Sequence, residues 1–207
     1  MQFSDEILSL CAPELPALTS CDLLDVAELP DYVLRIALQQ KLGVSRYKDP
    51  NVVVCLIAFV SRLDAAIREY AAARTRLREY LSALPEHNHL RSHALAVSNF
   101  ESCVLHAWPM FLCLERLVFL FGVTPPARVK GSEYDRLREL NNRLKHFDED
   151  ILQAAKGGTV AVAAPMWLTN DALKCERSTL TYRELADALI AASADAKAFC
   201  VDMLASK

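Results

Sequence analysis

Arg138, Asn142 and His146 recur every fourth residue within YDRLRELNNRLKHFDEDIL, Tyr134 to Leu152. On a helix that spacing brings a guanidinium, an amide and an imidazole onto one face. An imidazole exchanges protons near neutral pH, and a guanidinium offers a planar fork to phosphate or carboxylate oxygens. The same segment has the apolar side that a packed helix needs, because Leu137, Leu140, Leu144, Phe147 and Ile151 follow the 3, 4, 3, 4 spacing of a buried stripe. At about 100° per residue, Asp135 and Glu149 join the polar face, and Asn141, Lys145 and Asp148 line one flank. His146 is therefore expected outside the core, on a surface suited to an anion or a second subunit. A solvated face laced with charges four apart is the plainer alternative.

Within this segment, NNRLKHFDEDI resembles the signature of the HEPN superfamily, an Arg, four to six intervening residues and a His, often Arg-Asn-x-x-x-His. The likeness is close over about a dozen residues and looser over the surrounding helical layout. With His146 on the family histidine and Asn142 on the family asparagine, Asn141 stands where the catalytic arginine belongs. Arg138 lies one step too far back and Arg143 too close, so these two are the only arginines able to substitute. The resemblance implies a mainly α, antiparallel helical bundle with a dimeric habit more strongly than it implies ribonuclease activity. In the enzymatic members a His exchanges protons with the ribose hydroxyl or the leaving oxygen, while an Arg stabilises phosphate charge.

Other constellations are weaker. His89 and His93 stand four apart, but no third ligand and no His-Glu-x-x-His pattern accompanies them, so a polar helix start is expected and no metal site. His106, beside Trp108, reads as a core or interface histidine with one hydrogen-bond partner. Glu115 and Arg116 interrupt a strongly apolar run, and a charge there needs solvent or a partner. Glu115 is a candidate for orienting His146 or Lys145 across the bundle, against the plainer reading of an ordinary helix-surface charge. With five glycines and no phosphate loop, nucleophile elbow or dinucleotide fingerprint, no cofactor is expected.

These groups must be positioned by helices. Asp49 and Pro50 supply a cap and a first-turn proline for a helix to about Leu84, and Pro85 separates it from a second, about His89 to Phe121, which Pro109 should kink or divide. The two are expected to pair as an antiparallel hairpin. Asp22 to Leu29 and Asp31 to Leu42 read as a helical pair, Ser4 to Leu10 as a short helix, and residues 1–20 as a mobile end. Ser132 with Asp135 caps the signature helix, and Gly157-Gly158 ends it. Residues 158–178 read as a small β hairpin or meander, from Thr159 to Glu176, before a last helix that starts at Thr181 in a capping box with Glu184. Met166-Trp167-Leu168 is expected to pack this insertion onto the bundle.

The 207 residues suit one HEPN-like helical domain. A net charge of -3 argues against affinity built on broad phosphate contact and leaves room only for a local basic strip; the arginines from Arg62 to Arg78 are interleaved with acids in the manner of a solvated helix. Seven irregularly spaced cysteines and the absence of a signal peptide point to a reducing cytoplasm, and Val104 to Phe121 is too interrupted for a simple membrane span. The functional expectation is a non-catalytic homodimeric module for RNA or nucleotide, using Asn141, Asn142, Lys145, Asp148 and Glu115. Its alternatives are a metal-independent endoribonuclease using His146 with Arg138 or Arg143, and a helical protein-interaction module that binds a partner protein and no ligand.

Overall fold

The computed structural model describes residues 12–45, 47–83, 90–125, 128–157 and 164–201. Six helices and a three-stranded sheet are described, in the order α1 (Tyr32–Lys41), α2 (Pro50–Ser82), α3 (Leu90–Leu120), α4 (Glu133–Lys145), α5 (Phe147–Lys156), β1 (Trp167–Leu168), β2 (Ala172–Cys175), β3 (Ser178–Thr181) and α6 (Tyr182–Cys200). The protein is mainly helical. The expected helix Ser4 to Leu10 and the stretch Thr159 to Ala163 lie outside the described residues, as does His89.

The centre is the α2/α3 pair. Its contacts descend along α3 as they ascend along α2: Arg62 meets His106, Glu69 meets Asn99, and Tyr80 meets His93. The two helices are therefore antiparallel. Asp49 accepts from the Asn51 N–H at 2.8 Å and Pro50 fills the first turn, where its missing N–H costs nothing. Pro109 does not divide α3, which is one helix across it, and its carboxyl end turns at Gly122 with φ +75°. Both helices are long and apolar enough, by length and composition, to cross a membrane. In this fold their apolar faces meet each other, with Phe59, Leu63, Tyr70, Phe100, Val104 and Met110 all buried.

One expectation fails at the amino-terminal side. Residues 22–29 form no helix, although Leu23 and Val26 are buried. Of the stretch 1–20, residues 12–20 are described: Leu18 is buried, and the Asn170 Oδ1 accepts from the N–H groups of Thr19 and Ser20 at 2.9 and 3.2 Å. Glu14 takes a further hydrogen bond from the Trp167 indole at 3.4 Å and pairs with Lys174. Tertiary contacts supply what local pattern could not.

The sheet is antiparallel in the order β1-β2-β3, with Leu168 opposite Leu173 and Leu173 opposite Leu180. Strand β3 was not expected, since its four residues look like the approach to the last helix. They are that too: Thr181 closes the strand and caps α6, with the full capping box to Glu184. Met166, Trp167 and Leu168 are buried, so the insertion packs onto the bundle.

Candidate functional site

Helix α4 opens as its sequence indicates, with the Ser132 hydroxyl accepting from the Asp135 N–H at 3.3 Å. It closes sooner than expected. His146 sits at the carboxyl end with φ -114° and ψ 17°, its N–H still bonded to the Asn142 carbonyl, and α5 begins at the next residue. The expected single helix through Leu152 is therefore two. Arg143 and Lys145 occupy the last turn of α4, and Asp148, Glu149 and Asp150 the first turn of α5, the charge order that favours one helix end followed by another start. That signal was present in the sequence.

The break redistributes the stripe. Leu137 and Leu140 are buried and Leu144 packs partly against the core, but Ile151 and Leu152 are exposed. Asn141 was expected on a flank; it is 1% exposed, and its Oδ1 is buried without a hydrogen-bond partner among the described residues. Helix α4 touches α3 on one side and β2 and β3 on the other, so its buried arc is wider than one apolar stripe suggests. Ser178 fixes that second side by donating to the Arg136 carbonyl at 3.2 Å.

Around His146 lies a cleft of about 200 Å³ lined by Glu139, Asn142, Arg143, His146, Asp150, Cys175 and Arg177. His146 and Asn142 are exposed. The imidazole Nδ1 lies 3.3 Å from Glu149. Arg143 is largely covered: its guanidinium lies over the Phe147 ring at 5.5 Å, pairs with Asp150, and approaches Glu176 at 3.5 Å. Arg138 is held by Asp135 at 2.7 Å and Glu139 at 2.8 Å. Both candidate catalytic arginines are thus neutralised within the chain. Arg177, on the β2–β3 turn, faces the same cleft and was missed, because nothing in the linear pattern announces that a turn thirty-one residues downstream of His146 packs against it.

The remaining expectations scatter. Lys145 and Asp148 are exposed and line neither this cleft nor the larger one. Glu115 does not orient His146 or Lys145; it accepts both Nε and Nη2 of Arg128, at 3.2 and 2.6 Å, in a larger cleft of about 480 Å³ that Arg138 also lines. His93 is no polar helix start but a buried ring against Tyr80, its Nε2 without a partner among the described residues, and burial lowers its pKa to about 4. His106 is half-buried, with Nδ1 3.1 Å from Arg62, and lost solvation and that cation lower its pKa. Among the described residues no three His, Cys, Asp or Glu side chains gather to hold a metal ion.

Compared with protein-family models, curated proteins and solved structures, the chain matches none.

Proposed function

We propose that the chain is a HEPN-like binding or regulatory module without catalytic turnover, acting as a homodimer and offering Asn142, Lys145 and His146 to a nucleotide or an RNA segment. The two candidate arginines that precede His146 in sequence, Arg138 and Arg143, carry this reading, since each guanidinium is already engaged by two carboxylates. Clamping a phosphate would require either to give up partners that match it in charge and geometry. Arg138 and His146 are also about 12 Å apart along the helix at 1.5 Å rise per residue. The helical hairpin at the centre of the fold and the exposure of Asn142, Lys145 and His146 at the end of α4 support the HEPN-like part.

A second reading, a metal-independent endoribonuclease, rests on Arg177 lining the cleft of His146. Labelled single-stranded RNA incubated with protein in chelator separates the two. The expected outcome is binding that weakens in His146→Ala, with no cleavage. Metal-independent cleavage by the wild type, abolished in both His146→Ala and Arg177→Ala, would overturn the non-catalytic reading and make Arg177 the arginine. Restoring an arginine at Asn141 is no substitute test, because that side chain is buried and a guanidinium there would be stranded.

A further inference from the structure

We propose that the cleft between α3, α4 and α6 binds a small organic cation, a primary amine carrying an aromatic body. At about 480 Å³ it is large enough for such a molecule, within the range of roughly 300–1,000 Å³ found for small-molecule sites. Its apolar walls are Trp108, Phe111, Leu114 and Val118 from α3, Tyr134 from α4 and Phe199 from α6. Phe111 and Tyr134 meet edge to face at 4.7 Å, which fixes one wall.

The charges decide the ligand class. Four carboxylates line the cleft, Glu115, Glu133, Asp135 and Asp195, against two guanidinium groups, Arg128 and Arg138. Glu115 is consumed by Arg128, while Asp135 is consumed by Arg138 at 2.7 Å and by the Gly131 N–H at 2.8 Å. Glu133 and Asp195 remain with no ion pair or hydrogen bond from their side chains among the described residues. They come from different helices yet both oppose ionisation of the Tyr134 phenol, whose pKa is raised first by burial and then by these two carboxylates. Partial burial raises the Asp195 carboxyl pKa, although the residue still reaches solvent.

A neutral ligand would desolvate these two acids further without compensation, and an anion would be repelled by them; an ammonium group gives either acid a partner of opposite charge. The chain already shows that the aromatic wall accepts a cation. Arg128 lies over the Trp108 ring at 5.3 Å. His146, Asn142 and Lys145 are not part of this cleft, so the proposal stands or falls apart from the function proposed above.

The test titrates full-length protein with phenethylamine, 3-phenylpropionate and 2-phenylethanol, three probes of one shape and different charge. Binding is followed by calorimetry and by Trp108 fluorescence in a Trp167→Phe background, which removes the other tryptophan. Phenethylamine is expected to bind about tenfold or more tightly than either other probe, and Asp195→Asn to weaken it by about tenfold, the scale of one charge-assisted hydrogen bond. Glu133→Gln should act in the same direction, and His146→Ala should leave the affinity unchanged. Circular dichroism melts establish that each variant is folded. Equal affinity for the three probes, preference for the carboxylate, no phenethylamine binding at millimolar concentration, or binding indifferent to the Glu133→Gln, Asp195→Asn double variant would each overturn the proposal. So would a second copy of the chain seated in the cleft, seen as a dimer whose mass is insensitive to the amine and which excludes it.

Discussion

His93 shows how a single side chain can tie stability to pH. It is 6% exposed, packed on Tyr80, and its pKa is lowered to about 4 from an ordinary 6.5 by burial alone. Below about 6.5 the unfolded chain takes up a proton that the folded chain refuses until about pH 4. Stability from this group is therefore complete above 6.5 and declines as pH falls through that window, by an amount on the order of 3 kcal/mol at most. His93→Phe keeps the ring contact and removes the titration. Thermal melts at pH 7 and pH 5 should show the wild type losing more melting temperature than the variant; an equal acid loss would mean that His93 is not the group responsible. The sequence placed this ring at a polar helix start because His89 lies four residues before it, and only the approach of Tyr80 from α2 reveals the burial.

At the scale of the element, α4 is the part whose faces the sequence described best and whose length it described worst. Leu137 and Leu140 lie in the core and Asn142 faces outward, as their spacing indicates. Leu140→Asp should therefore unfold the chain, since it strands a charge at a fully buried position, whereas Asn142→Ala should shift the melting temperature little. Similar losses in both would mean that the assigned faces are wrong. The same substitution at Leu144 should be milder than at Leu140, because Leu144 is only partly buried. Periodicity could not locate the break at His146, for no proline or glycine marks it and the apolar rhythm continues through Phe147 and Ile151. The switch from basic to acidic residues was the readable sign.

For the molecule as a whole, Asn142 and His146 remain exposed on one edge, a patch that a two-fold axis can set against its own copy. We expect light scattering to give twice the chain mass of 23.1 kDa, and His146→Glu, which sets two carboxylates face to face, to shift the equilibrium toward monomer. A strict monomer at tens of micromolar, an order of magnitude typical of weak association, would remove the composite surface from the proposed function. A dimer indifferent to His146→Glu would place the two-fold axis elsewhere; the exposed Leu34, Leu38 and Leu42 of the α1 region are another apolar row to examine by substitution.

The sequence by itself determined what depends on near neighbours: the helical class, the proline at the start of α2, the caps of α4 and α6, and the outward face of Asn142 and His146. Each follows from residues within a turn or two of one another. Arg138 finds its acids on its own helix, whereas tertiary structure decided the partners of Arg143 and Glu115 and the burial of Asn141. Arg143 is neutralised by Glu176 from the β2–β3 turn as well as by Asp150, Glu115 is claimed by Arg128, and Asn141 is buried on a flank of α4 that its own pattern leaves polar. Ion pairing and burial are set by whatever approaches through space, and a linear pattern of side chains holds no record of what that will be.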